Sequence, residues 1–258
     1  MYSIKTVNVL GSTMEVFLFR PQGDGPHPAI LMAQHIPMGH TGLENDAFTL
    51  TTAQRFADNG YVVAVPFIFH WWPKSDPLEK KREESRDDWM VADMQAAFAL
   101  LKAEPDVDVA RIGLVGHCWG GRVAWLAACH LPQLAALATF YGGNIKKALG
   151  AGNVPPIELT RFIACPVIGF YGNNDTNPSP QDVADYSAAL TAAGIKHRFH
   201  QYDGAGHAFQ NFPMPERYHK EASDDAWTKV LDFLQQTLAP DAPASRALRG
   251  RNTGSNRV

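Results

Sequence analysis

Three residue types able to carry out acyl transfer occur in an order that would let them cooperate. Cys118 lies in Gly116-His117-Cys118-Trp119-Gly120-Gly121, between the apolar run Ile112-Gly113-Leu114-Val115 and a helical pattern from Arg122 to His130. Small residues on both sides let a chain leaving a strand turn sharply into a helix, which thrusts the central side chain outward in a strained backbone conformation. At the start of such a helix the backbone N–H groups and the macrodipole favour a thiolate, and the N–H of Trp119 is placed to donate to an oxyanion. Asp175 follows the apolar run Val167 to Tyr171 through the turn Gly172-Asn173-Asn174, and His207 ends the glycine-loosened Asp203-Gly204-Ala205-Gly206-His207. His207 would take the thiol proton or hold an ion pair with the thiolate, while Asp175 fixes the imidazole's tautomer and orientation.

Each residue also has a plainer reading. A free cysteine is most often a small buried hydrophobe, Asp175 would serve an Asx-turn, and His207 would be a loop histidine. The strand–turn–helix context around Cys118 and the joint order of the three residues favour the catalytic reading. Cys129, inside the helical pattern, and Cys165, just before Pro166, have no such turn around them and read as structural.

The elements that must position these residues alternate along the chain. An opening hairpin covers residues 2 to 20, with a turn at Gly11-Ser12. Apolar strand patterns follow at Ala29 to Ala33, Tyr61 to Val65, Arg111 to Val115, Leu137 to Tyr141 and Val167 to Tyr171, and Lys196 to Tyr202 makes a last strand. Helical spacing marks 46–59, 85–103, 122–130, 181–193 and 222–238; in the second, Trp89, Met90, Met94, Ala97, Phe98 and Leu101 recur every three or four residues. Strands alternating with helices predict an α/β protein with a mostly parallel central sheet flanked by helices on both faces. Residues 67–84 break the pattern with four aromatics and the charge run Glu79 to Glu84, and they follow a strand's carboxyl end, where loops face the ligand crevice. Residues 1–239 are expected to form one domain with 67–84 as its active-site loop. The tail 240–258, with four arginines and almost no large apolar residue, is expected to be disordered.

At 258 residues, 45% hydrophobic and 19% charged, the chain can bury a substantial core. A net charge of −3 without a basic patch argues against a nucleic-acid partner, and no apolar run approaches a membrane span, so a small-molecule partner and a cytoplasmic location are expected. Three cysteines without a C-x-x-C pair fit neither a disulfide framework nor a zinc knuckle. The histidines His35, His40 and His70 lack the spacing of a metal motif and read as scattered surface or pocket histidines.

Val115 to Gly121, Tyr171-Gly172-Asn173-Asn174-Asp175, Gly204 to Phe209 and Ala33-Gln34-His35-Ile36 together resemble the dienelactone hydrolase family, α/β-hydrolases whose triad is Cys, Asp and His in that order along the chain. The likeness spans about residues 1–239. It implies hydrolysis of a lactone or ester through an acyl-cysteine intermediate, without metal or organic cofactor, with the backbone N–H of Ile36 as the second oxyanion donor. His35 stands where the family has a glutamate that modulates the nucleophile. Asn211 stands where the family has an arginine for the substrate carboxylate, and Arg82 and Arg86 are both candidates for a second such arginine. Trp119, with His70, Trp71, Trp72 and Tyr141 expected nearby, favours an apolar or aromatic acyl group, and Phe209 is also expected around the substrate. A carboxylesterase or thioesterase is the nearest alternative, and a non-catalytic binding protein of the same fold is an alternative of another class. The chain is expected to be a monomer or homodimer.

Overall fold

The computed structural model describes residues 1–36 and 41–242. Eight strands form one sheet in the order β1-β2-β4-β3-β5-β6-β7-β8. The opening hairpin joins β1 (Tyr2–Val9) to β2 (Ser12–Phe19), pairing Tyr2 with Phe19 and Val9 with Ser12. Its turn is Leu10-Gly11, one residue earlier than the expected Gly11-Ser12. Both residues have positive φ, 49° and 91°, as a two-residue hairpin turn of matching twist requires.

From β3 (His27–Ala33) onward the sheet is parallel, through β4 (Val62–Pro66), β5 (Val107–His117), β6 (Ala136–Phe140), β7 (Val167–Gly172) and β8 (His197–Tyr202). β4 and β6 are buried along their whole length and β3 along its last five residues, which is why these segments read as unbroken apolar runs. The strand order turns back between β3 and β5, so the crevice at their carboxyl ends is the expected place for a ligand.

The helices are α1 (Ala47–Asp58), α2 (Leu78–Glu83), α3 (Asp87–Lys102), α4 (Trp119–His130), α5 (Pro180–Ala192) and α6 (Lys220–Thr237). On one face α4 packs on α3, and Trp125 of α4 meets Tyr186 of α5 with ring centres 5.7 Å apart. On the other face Phe56 of α1 meets Trp227 of α6 at 4.7 Å. The α/β fold with helices on both faces is thus as expected.

Residues 67–84 are not wholly a loop, because Leu78–Glu83 form the short helix α2. A single turn rich in charge carries no apolar periodicity that would betray it. The aromatics of this segment are packed rather than displayed: Trp71 stacks on Trp89 at 4.7 Å, and Trp72 lies 5.8 Å from the same ring. At the other end the packed body continues past 239 to Ala242, which is buried, and the remainder of the expected tail, 243–258, lies outside the described residues. No described helix is long and apolar enough to cross a membrane.

Candidate active site

β5 delivers the chain directly into α4, with Cys118 between them at φ 55°, ψ −120°. Such a conformation is costly for a residue with a Cβ and is held by its surroundings. The glycines make the turn possible: a Cβ on Gly116 would overlap the Gly120 carbonyl oxygen, and one on Gly120 would overlap the carbonyl oxygen of Ala33. The end of β3 therefore lies against the start of α4. Trp119 opens α4, so its backbone N–H has no partner within the helix.

The three residues named from sequence come together. His207 Nε2 lies 3.0 Å from Cys118 Sγ, and His207 Nδ1 lies 2.8 Å from Asp175 Oδ2. The second carboxylate oxygen, Oδ1, accepts from the Asn177 backbone N–H at 2.8 Å, which fixes the plane of the group. Burial opposes a proton on His207, yet the hydrogen bonds to Asp175 and Cys118 outweigh it and push its pKa up to about 10. A cationic imidazole beside Cys118 is the electrostatic state that an attacking thiolate needs. Positive φ recurs around the site, at Tyr141 (39°) and Ala208 (62°) as well as Cys118. Cys129 and Cys165 are buried, and burial pushes both thiols up to about 12, in keeping with structural roles.

The other expected residues divide. Trp119 and Trp72 are each 9% exposed, and Trp72 donates through Nε1 to Glu84 at 2.7 Å. Phe209 is fully buried between Tyr141 (5.2 Å) and Tyr202 (5.3 Å), so it is a packing residue rather than the substrate contact expected of it. Tyr141 and Asn211 are also buried; the Tyr141 ring packs edge-on against His207 at 5.4 Å. Arg86 is engaged by Asp88 at 3.0 Å and lies over Trp89, while Arg82 is exposed on α2. His35 is buried and bonded through Nε2 to Asp46 Oδ1 at 2.9 Å, and its ring meets Phe48. His70 is bonded to a different carboxylate, Asp93, at 2.8 Å, and His40 lies outside the described residues. Among the described residues no group of three His, Cys, Asp or Glu side chains would hold a metal ion.

Two supports escaped the sequence. Arg122 of α4, 1% exposed, grips Asp87 of α3 with both terminal nitrogens (2.5 and 3.1 Å) and donates to the Lys147 carbonyl at 2.6 Å, tying the elbow helix to its neighbour. His117, inside the elbow, lies 3.1 Å from Gln210, three residues beyond His207. Nothing local marks either pair, since the partners stand far apart in the chain.

The model of the dienelactone hydrolase family matches residues 14–238. A protein of Escherichia coli named as a carboxymethylenebutenolidase is 30% identical over 237 residues, covering 88% of this chain and 83% of its own. One from Bradyrhizobium, named as a 2-oxo-3-(5-oxofuran-2-ylidene)propanoate lactonase, is 26% identical over 237 residues, covering 88% and 91%. A crystal structure of a Klebsiella pneumoniae protein named as a dienelactone hydrolase superposes with a TM-score of 0.78 at 27% identity, over 92% of this chain and 98% of that one.

Proposed function

Because the chain belongs to the dienelactone hydrolase family of ester and lactone hydrolases, we propose that it cleaves a lactone or small activated ester through an acyl-cysteine intermediate. Cys118, His207 and Asp175 are the catalytic residues in this reading. The observation that carries it is the thiol–imidazole–carboxylate chain at 3.0 and 2.8 Å, set on a strained turn at a helix start.

The thiolate of Cys118 attacks the carbonyl carbon, a C–S bond forms, and the carbonyl electron pair moves onto oxygen. That oxyanion accepts from the backbone N–H groups of Trp119 and Ile36. Collapse breaks the ester C–O bond, and the leaving alkoxide takes the proton from His207 Nε2; in a lactone it stays tethered to the acyl group. His207 then removes a proton from water, which attacks the thioester, and the thiolate leaves. Asp175 keeps Nδ1 protonated throughout.

A second reading concerns the acyl group. Asn211 carries no charge where the family resemblance places an arginine, Arg86 is held by Asp88, and Arg82 lies exposed on α2. These observations favour a neutral apolar or aromatic acyl substrate, as a carboxylesterase or thioesterase would take, over an anionic dienelactone. His35 would modulate the nucleophile indirectly, through the electrostatic influence it exerts on the neighbouring His117.

The test is turnover of an aryl acetate and of a cis-dienelactone carboxylate side by side, with and without iodoacetamide, together with the intact mass of enzyme quenched during turnover. Iodoacetamide-sensitive turnover and a mass increase equal to the acyl group, absent from Cys118→Ala, are expected, with the neutral ester preferred. Turnover insensitive to alkylation would remove the cysteine mechanism, and preference for the carboxylate would remove the second reading.

A further inference from the structure

The catalytic histidine is carried by a glycine-containing loop that backbone hydrogen bonds tie to Asn174 at Ala205 and to His219 at Phe209, both at 2.9 Å. It contains Gly204 at φ 75° and Gly206, and it turns at Ala208 in a left-handed conformation. His207 must nevertheless stay within hydrogen-bonding reach of a sulfur on another element, and an error of about 1 Å in such a geometry costs on the order of a hundredfold in rate. Something must fix this loop to the elbow.

Gln210 is 6% exposed and its amide bridges two elements. Its Nε2 donates to the Ser223 carbonyl in the first turn of α6 at 3.3 Å, which turns Oε1 toward His117. His117 Nε2 lies 3.1 Å from that oxygen. An amide oxygen only accepts, so His117 carries its proton on Nε2 and donates. The imidazole is itself immobile: it stacks on Phe140 at 4.2 Å with 14° between planes, and Phe48 closes it edge-on at 5.2 Å. His117 precedes Cys118 and Gln210 follows His207 by three residues, so one hydrogen bond joins the backbone that carries the sulfur to the backbone that carries the base.

We propose that the buried His117–Gln210–Ser223 chain is an uncharged clamp that holds the His207 loop against the nucleophile elbow, making His117 and Gln210 positioning residues for the Cys118–His207 pair. The inference rests on the reading of that pair as the reacting groups. Neutrality is part of the device. Burial, reinforced by the nearby His35, pushes the His117 pKa down to about 3. The titratable groups facing its ring are His35 beyond Phe48 and Tyr141, whose ring centre is 6.0 Å away. His117 therefore stays neutral while His207 takes and returns its proton, and the two imidazoles do not compete for charge.

The variants are His117→Phe, which keeps the stack on Phe140 but cannot donate, His117→Gln, which restores a neutral donor, and Gln210→Leu, which removes the acceptor. The readouts are kcat, KM and the pH profile of Cys118 alkylation by iodoacetamide, on protein shown to be folded by circular dichroism. His117→Phe and Gln210→Leu are expected to lower kcat about ten- to a hundredfold with little change in KM. They should also shift the alkylation profile to higher pH, because a wandering imidazolium stabilises the thiolate less, while His117→Gln recovers most of both losses. Wild-type kcat and an unshifted profile in a folded His117→Phe or Gln210→Leu protein would overturn the clamp. An alkylation profile in the wild-type enzyme like that of a free thiol would instead overturn the Cys118–His207 reading itself, so the two failures are distinct. Should His117→Phe fail to fold, Gln210→Leu decides alone.

Discussion

Among the described residues, two chains of hydroxyl or thiol, imidazole and carboxylate have nearly the same lengths. In one, Cys118, His207 and Asp175 are linked at 3.0 and 2.8 Å. In the other, Ser12 Oγ meets His70 Nδ1 at 2.8 Å and His70 Nε2 meets Asp93 at 2.8 Å. Their surroundings differ in every respect that matters to chemistry. Cys118 sits at φ 55° on a turn before a helix, whereas Ser12 begins the extended strand β2 and is paired with Val9. The His207 side chain is 28% exposed and that of His70 only 3%. The imidazole is reversed in the second chain, and Asp93, fully buried, also accepts from Trp71 Nε1 at 3.0 Å. Burial raises the Asp93 pKa, with the bonds from His70 and Trp71 working against it. Ser12–His70–Asp93 is a brace joining the hairpin, the aromatic segment and α3. The two relays share composition and distances, and what sets Cys118 apart is its strained turn at a helix start and the more exposed imidazole beside it.

That comparison breaks most sharply by deletion. Cys118→Ala and His207→Ala should each lower kcat by about ten-thousandfold or more, since residues acting as a unit fail together. Turnover near the wild-type rate in either, measured on purified folded protein, would refute the assignment. Asp175→Asn should cost about a hundred- to ten-thousandfold, because the imidazole survives but loses its orienting anion.

The same carboxylate sets a pH signature. The His207 pKa is raised from 6.5 to about 10, so the stability it contributes is fully present below pH 6.5 and is lost as pH rises through 10. The Tm gap between wild type and Asp175→Asn should therefore shrink between pH 6 and pH 10, and a constant gap would show that the ion pair does not form. The smallest effect belongs to the brace. Ser12→Ala should leave kcat/KM within about twofold and cost about 1 kcal/mol of stability by denaturant melting, the worth of one hydrogen bond. A loss of turnover comparable to that of Cys118→Ala would mean that the second chain is reactive after all.

Much of this molecule is written in short stretches of sequence. The inner strands β3, β4, β6 and β7 announce themselves as apolar runs, because burial on both faces leaves little room for polar residues, whereas the edge strand β8, His197–Tyr202, is polar and half-buried. The elbow is legible for a related reason: no residue but glycine fits at 116 or 120, where a Cβ would overlap a carbonyl oxygen. Asp175 and His207 were legible through their place after strands and their order, and the tertiary structure supplies the distances that join them. Phe209 shows the opposite case. Its position two residues after His207 placed it near the substrate, but the direction of its side chain, into the core between Tyr141 and Tyr202, is set by packing that no neighbour in sequence reveals. Helix α2 was hidden because a single charged turn has no period to detect.

The sequence by itself determined the alternation of strand and helix, the sharp turn at Cys118 and the order of Cys118, Asp175 and His207 after successive strands, since each follows from sterics or solvation acting within a few residues. Only the tertiary structure decided which partners each histidine meets. His35, His70, His117 and His207 are the same side chain, and what separates them is whether the partner brought to them from elsewhere is Asp46, Asp93, Gln210, or Asp175 together with a cysteine sulfur. Those partners lie 11 to 93 residues away in the chain. A histidine's charge and reach are set by the groups around it, and chain folding alone brings those groups together.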